Sequence, residues 1–542
     1  MNTPIDQTNE LIQQAYKHAA RGFFINKKAE AELFSKLNLI TETKAIPSLL
    51  PLVFSHNKSL ADTVAGIINK IVINISADTW ESLDVMIRSV DNYYNRLWNQ
   101  ITVDQVKSLN FERPVCNTID ALLCSHNNGY IREQAIKGLL PEFTELNIPI
   151  LLIRANDWVD KIKILSSAKL IEFIDDNKIS HFIPSLNFID KLYHKGRYDH
   201  SILISVIESQ LIEKCYDKLL LAIASLSNRK ISRVAFKIAA KNTSKILQLI
   251  QISSQSSDII IKLETLGIAS QYLSDDMLFE FLGTCLVDKS PIVRRKCIHI
   301  GLGKFSKQIN HLLISTLFDK SFSLRELARF YLKDSDYNVG KIYQEALINK
   351  NKPLHIAIMG LAEEGMRDDF KLIEPYMYDS VLTVRAACIY AIFKLKPDNK
   401  QELILGQLPS GEPRILKAIY EGLNKNSDDY DIDLIERVFC QSGDLYSKML
   451  FIKIKIAIIK DRWSLIDYML DHVQKVGSDK VKLFLEHEIS RWIINNTPSK
   501  VFTRPNRDFL LSIIMKVDQL ILQDNNAHLY NALKKNIIRF IE

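Results

Sequence analysis

Glycine and proline are scarce in this chain, 17 and 15 in 542 residues, about half the ~12% share the two have in an average protein. Tight hairpins and flexible tethers need both, so a β-rich or linker-rich protein is excluded. Long apolar runs are also missing. The longest, such as Leu219 to Leu226, fall far short of the ~20 residues that span a bilayer. The opening residues, MNTPIDQTNELIQQ, lack the basic-then-apolar layout of a secretory signal, and no lipidation motif is visible. The seven cysteines (Cys116, Cys124, Cys215, Cys285, Cys297, Cys388 and Cys440) form no CxxC pair. They read as small apolar core residues of a reduced, cytoplasmic protein. With 47% apolar and 25% charged residues, the composition is that of a soluble globular chain.

What is present is a repeat. The segments DKSPIVRRKCIHIGL from Asp288, DKSFSLRELARFYL from Asp319 and DSVLTVRAACIYAI from Asp379 share one pattern. Each is an Asp, a short polar turn, an aliphatic residue, an Arg, and three positions later an Ala or Cys. Following the Arg position gives Lys262, Arg294, Arg325, His355, Arg385, Lys417 and Lys448, in steps of 30–32 residues. Six residues earlier stand Ser256, Asp288, Asp319, Asn349, Asp379, Gly411 and Ser442, all turn or helix-capping types. Upstream the spacing loosens through Arg132, Lys163, His200 and Arg233, with Asp157 six residues before Lys163.

About thirty-one residues hold two helices of ~18 Å and two short turns. One such hairpin buries too little surface to stand alone, so the units must stack on one another. The fold expected is therefore all-α, an α-α superhelix (α-solenoid) of helical hairpins. The domains expected are an N-terminal helical cap over 1–43, a solenoid over 44–460 with an irregular insertion near 76–110, and a C-terminal helical cap over 461–542.

The aliphatic-Arg pair with Asp six residues before it resembles the HEAT-like repeat family in its short, about 30-residue form, as in phycobilisome-lyase-type proteins. The resemblance covers roughly 44–460. It implies a ladder between adjacent turns, carried here by Asp288 and Arg294, Asp319 and Arg325, and Asp379 and Arg385. It implies breaks in that ladder where Lys, His or Ser replaces these residues. It also implies that the second helix of each unit lines a concave surface.

No motif for catalysis stands out. Gly301, Gly303, Lys304 and Ser306 hint at a phosphate loop, but Ile298 stands where the first glycine of a P-loop is required, and a helix end is the reading preferred. The twelve histidines show no HExxH, C2H2 or deaminase spacing, and His194 and His200 have no nearby cysteine to complete a metal set. Asp157 beside Trp158 offers the carboxylate and aromatic ring of a HEAT-like DNA glycosylase, yet Asp157 also occupies the ladder position of its unit. The acidic groups Glu363, Glu364, Asp368 and Asp369, and Asp428, Asp429, Asp431 and Asp433, read as loops between helices, without calcium-loop spacing. No enzyme, cofactor or metal is expected.

Charge is more informative. The chain carries 70 basic and 63 acidic residues, a net charge of +7. Residues 227–333 hold 17 basic and 8 acidic residues, so the whole positive excess lies in one fifth of the chain. Arg229, Arg233, Lys237 and Lys241 recur every four residues, as do Arg325, Arg329 and Lys333, which keeps each set on one helical face. With the ladder residues Arg233 and Arg325 set aside, Arg229, Lys237, Lys241, Arg295, Arg329 and Lys333 are the candidate partner-binding residues. The reading that results is a non-enzymatic scaffold or adaptor that binds another protein, with no membrane contact. Nucleic-acid binding through a basic groove at 227–333, with or without glycosylase chemistry, stands as the alternative, weakened by a lack of interleaved aromatic residues. A chromophore lyase or chaperone-like subunit is a third reading, by fold analogy alone.

Overall fold

The second helices of the repeat begin at side chains that take over the first free backbone amides. Asn128 Oδ1 accepts from the Tyr130 amide at 3.0 Å, Asn228 Oδ1 from Lys230 at 3.0 Å, and Asp258 Oδ1 from Ile260 at 2.8 Å. Each cap satisfies a donor that the helix itself leaves unpaired. The Arg229–Ala239 helix then buries Val234, Ala235, Phe236, Ile238 and Ala239 while Arg229, Lys230 and Lys237 stay exposed.

In this computed structural model the described residues are 4–20, 27–89, 97–175, 178–225, 227–305, 308–333, 335–425, 445–459, 461–475, 478–495, 505–523 and 526–541. Among them every regular element is a helix, α or 3-10. None is long and apolar enough to cross a membrane. The chain divides into two compact units, Met1–Ile300 and Gly301–Glu542, and the division falls inside the Pro291–Lys304 helix.

In the first unit, Arg113–Leu123 and Gly129–Gly138 form a hairpin, followed by Thr144–Ala155 and Asp160–Asp175. First helix packs on first helix and second on second, which is the stacking of an α-solenoid. In the second unit the Leu382–Leu395 helix lies between Leu354–Glu364 and Pro413–Leu423, and Leu445–Ile458 continues the row. Two glycines make the packing close, Gly360 within a hairpin and Gly422 along the row. A Cβ at Gly360 would overlap the Tyr343 ring, and one at Gly422 would overlap the Phe393 ring. Tyr343, fully buried, donates to the Leu317 carbonyl at 2.9 Å.

The irregular insertion has a definite role in the first unit. The Lys58–Val72 helix packs directly on Arg113–Leu123, with Thr118 Oγ1 donating to Asn69 Oδ1 at 2.6 Å. The chain between them supplies a separate helix, Thr79–Arg88, and a short one, Val103–Lys107, that packs on Gly129–Gly138. Trp80, Leu83 and Ile87 of the Thr79–Arg88 helix are buried. Its acidic side chains reach residues far along the chain. Asp84 receives Arg154 at 2.6 Å, Asp78 receives Asn187 and Asn228 (the latter at 2.7 Å), and Glu81 pairs with Lys191. The helix thus braces several successive hairpins. Farther on, Trp98 is buried against His126, whose Nδ1 accepts from the Asn128 amide at 2.9 Å. That acceptance leaves Nε2–H to donate to the Trp98 carbonyl at 3.0 Å.

The last four described helices, Arg462–Lys475, Asp479–Asn495, Arg507–Gln523 and Ala527–Ile538, close around one apolar cluster. Trp463 stands edge-on to both Trp492 and Phe540, and Trp492 Nε1 donates to the Arg462 carbonyl at 2.9 Å.

Candidate interaction surface

The repeated Arg has two jobs, and they use different ends of its guanidinium. Arg132, fully buried, donates through Nη1 to the carbonyls of His126 and Asn127 at 2.8 and 2.9 Å, and through Nη2 to Asp157 Oδ1 at 3.0 Å. The first pair of bonds closes the turn of its own unit. The third reaches the Asp of the next unit. Arg294 closes its turn on the carbonyls of Asp288 and Lys289, and Arg325 does so on Asp319 and Lys320. Side-chain rungs between consecutive units are Arg132 to Asp157, Arg233 to Asp258 (2.8 Å) and Lys262 to Asp288. Lysine at this position therefore still makes a rung.

The expected pairs Asp288–Arg294 and Asp319–Arg325 meet through the Asp main-chain oxygens. The Asp carboxylates instead close the turn that leads into the next helix. Oδ1 of Asp288 and of Asp319 each accepts from the amide two residues on at 2.7 Å, and Asp379 Oδ1 accepts from Val381 at 2.8 Å. Arg385 bonds Gln407 Oε1 at 3.1 Å. Burial opposes ionisation of Asp258 and Asp288, yet their cationic partners and the capped amides hold both carboxyls below the usual range. Replacing Asp319 by Ala should remove its bond to the Ser321 amide, which closes the turn before the Phe322–Leu332 helix, and cost about 1 kcal/mol. Hydrogen exchange should speed up over 317–332 and remain unchanged beyond the neighbouring hairpins. Uniform loss of protection would contradict a nearest-neighbour stack.

Arg325 departs from the pattern because the next unit offers Asn349 where an Asp is expected. Its carboxylate partner is Glu363, 38 residues on. Arg325 Nε donates to Oε2 at 3.0 Å and Nη2 to Oε1, and Arg329 Nη1 adds a third bond to Oε2 at 2.7 Å. Both the Arg325 and Glu363 side chains are sealed from solvent, at 0% and 1% exposure. The Tyr390 hydroxyl also donates to Glu363 at 3.3 Å, and burial pushes that phenol up to about 12, so it remains a donor. Glu363 and Glu364 end the Leu354–Glu364 helix, where the sequence suggested a loop. Asp368 and Asp369 follow in a 3-10 turn, and Asp369 accepts from Gln344 at 2.8 Å.

A comparable network lies in the first unit. Asp157 receives Arg132 and Arg154, and Asp84 receives Arg154 and Arg88. Asp157 is thus bound up in rungs, while the adjacent Trp158 is exposed. Burial raises the Asp84 carboxyl despite its cationic neighbours.

The candidate binding residues separate into two groups. Arg229, Arg295 and Lys333 are exposed and have no carboxylate partner among the described residues. Lys237 lies 3.4 Å from Asp190 and Lys241 bonds Glu208, both at the surface. Arg329 is turned into the Glu363 and Glu364 carboxylates and is largely buried, because Glu363 Oε2 accepts a second bond beside the one from Arg325. Arg229 to Lys241 belong to the first unit, and Arg329 and Lys333 to the second. Around Lys333, contrary to the expected lack of aromatic residues, Phe322, Phe330, Tyr331 and Tyr337 are exposed.

Other residues singled out in the sequence have plainer settings. Gly301, Gly303 and Lys304 are helical, and Ser306 lies outside the described residues. His194 is near Asp190 and His200 near Asn156, each at 3.5 Å. No group of three or more His, Cys, Asp or Glu side chains among the described residues is placed to hold a metal ion. Asp428, Asp429, Asp431, Asp433, Cys440 and Ser442 lie outside the described residues.

No protein-family model matches the chain, and no curated protein sequence matches it. Solved structures do. Kap121p is similar at 13% identity and a TM-score of 0.29, over 99% of this chain and 57% of that one. Kap121p bound to Nup53p gives 14% and 0.30, over 100% and 57%. Importin beta gives 11% and 0.28, over 99% and 69%. The chain thus spans a little over half the length of the Kap121p structures it resembles.

Proposed function

We propose that this chain is a non-enzymatic, cytoplasmic α-solenoid scaffold that binds a protein partner, with repeats over 44–460 forming the working surface and the segments 1–43 and 461–542 capping it. The observation that carries the proposal is the sorting of the basic residues. The repeated Arg positions are consumed by turns and rungs, while Arg229, Arg295 and Lys333 stand exposed without carboxylate partners. Arg229 and Arg295 in the first unit, and Lys333 in the second, each offer a charged contact for an acidic surface. The rung spacing of about thirty residues supports grouping the chain with the short-unit, phycobilisome-lyase-type HEAT-like proteins.

Changing Arg229, Arg295 and Lys333 together to Glu removes two charges per site and takes the net charge from +7 to +1. None of the three holds a rung, so the helical spectrum should survive. Binding of an affinity-captured, nuclease-resistant protein partner should fall about tenfold or more at low salt, and less at physiological salt, where screening acts over ~8 Å. Unchanged binding at every salt concentration would place the working surface elsewhere.

The exposed aromatic side chains around Lys333 favour a second reading, in which bases stack on Phe322 and Phe330 beside the cations. Titration of single-stranded DNA against salt separates the two. A steep fall in affinity with salt, together with weaker binding by Phe330→Ala at every salt concentration, supports nucleic acid, and no measurable binding rejects it.

A further inference from the structure

One cavity in the second unit is not accounted for by the rungs. It holds about 530 Å3 and opens among the Phe322–Leu332 helix, the end of Leu354–Glu364, the first turn of Val339–Asn349 and Lys394 of Leu382–Leu395. Its floor is Glu363, whose two oxygens are already taken by Arg325, Arg329 and the Tyr390 hydroxyl. The cations at the mouth are not engaged in this way. Lys333 and Lys394 both line the cavity, are exposed, and have no carboxylate partner among the described residues. Phe322, Phe330 and Tyr337 line it as well and are exposed, Phe330 at 69%. Large aromatic side chains left in water around a cavity, with a few polar groups beside them, are the make-up of a binding groove. Two carboxylates on the same walls decide what fits. Glu326 is exposed and has no cationic partner among the described residues, and Glu364 lies 3.7 Å from Arg329. A nucleic-acid strand carries a phosphate at every nucleotide and would lay that charge along these acids. A protein segment spaces its charges, so its carboxylates can meet the two lysines while its backbone amides face Glu326.

We propose that this groove is the docking site for a short segment of the protein partner in which a large apolar side chain, aromatic above all, is flanked by acidic residues. The apolar side chain packs on Phe322, Phe330 and Tyr337, and the flanking carboxylates pair with Lys333 and Lys394. The division of labour follows from burial. An aromatic anchor seated against other rings loses its water and carries most of the affinity, whereas ion pairs at an exposed mouth add little energy and set orientation and partner choice. Neither lysine has a carboxylate of its own chain to give up on binding, so the pairing costs no existing bond. The proposal rests on the protein-partner reading and adds to it the class of segment recognised.

The test titrates the full chain into short fluorescein-labelled peptides at low salt, read by fluorescence anisotropy. The first peptide carries a central Phe with Asp residues on both sides in a Gly-Ser frame. The second has that Phe replaced by Ala, and the third has every Asp replaced by Asn. A labelled oligothymidine is the nucleic-acid probe. Saturable binding of the first peptide is expected, weaker by about tenfold or more for the second and the third. Phe330→Ala and Lys394→Glu, both at exposed positions outside every rung, should each weaken it by about tenfold while the helical spectrum is unchanged. Lys218→Glu, an exposed change in the first unit, should leave it as it is. The proposal is overturned if the first peptide does not bind, if it binds no better than the second, or if Phe330→Ala and Lys394→Glu leave its affinity unchanged. Oligothymidine that binds more tightly than the first peptide, with the same dependence on Phe330, would overturn it in favour of nucleic acid. Loss of the captured partner on changing Arg229, Arg295 and Lys333, together with no peptide binding, would overturn the groove alone and leave the protein-partner reading standing.

Discussion

Replacing Glu363 by Ala should be among the most damaging single changes in the second unit, at about 3–5 kcal/mol. The reason lies in what is left behind. Arg325 is fully buried and Arg329 largely so, and without Glu363 neither side chain keeps its bonds to that carboxylate. A guanidinium stripped of its partner in a dry setting costs far more than the net worth of the original pair. Hydrogen exchange should therefore collapse across Phe322–Leu332 and Leu354–Glu364, the two helices the carboxylate joins, while the first unit keeps its protection. Removing both charges tests the cause. An Arg325→Met, Glu363→Met double variant should recover much of the loss, since well-packed apolar groups often replace a buried ion pair at little cost. If Glu363→Ala is no worse than a surface substitution, the network is an ornament of the stack and not part of its stability.

The repeat itself was legible because it is written in local terms. A turn Asp acts on an amide two residues away, and the Arg six residues later closes the same turn, so both ends of the interaction recur within one unit of sequence. The helices and their stacking followed from that recurrence. What escaped the sequence are contacts whose partners have no fixed separation. Glu363 looked like one of four acids in a loop. Its role depends on the absence of an Asp at Asn349, a gap that only the register of the repeat exposes. The brace is harder still. Asp78 meets Asn187 and Asn228, 109 and 150 residues away, and no periodicity links those positions. Composition misled in one place: Arg329 fits the stripe of exposed cations by spacing, but spacing on a helix face does not distinguish solvent from a neighbouring carboxylate.

Asp120 shows the same limit in the other direction, since nothing in its local sequence marks it as unusual. It lies in the Arg113–Leu123 helix with its carboxyl over Gly138, a position where any Cβ on residue 138 would overlap it. Among the described residues its carboxyl accepts no hydrogen bond and meets no cation, and burial alone pushes it up to about 7. In the unfolded chain the same group titrates near ~3.9. Between those two values the folded protein holds a proton that the unfolded chain has released. Stability must therefore fall as pH rises through this window, and it should level off once the folded carboxyl has ionised, above about pH 7. Asp120→Asn keeps the shape and removes the titration. The variant should match the parent's pH trend below about pH 4, gain on it steadily through the window, and exceed it by up to ~4 kcal/mol near pH 8, apart from a pH-independent offset for the partly buried amide. Parallel denaturation series at pH 4, 6 and 8, read by exchange protection of 113–138, would show this divergence. Parallel curves for parent and variant would mean that water or a counter-charge reaches Asp120, and that the first unit tolerates its negative charge without strain.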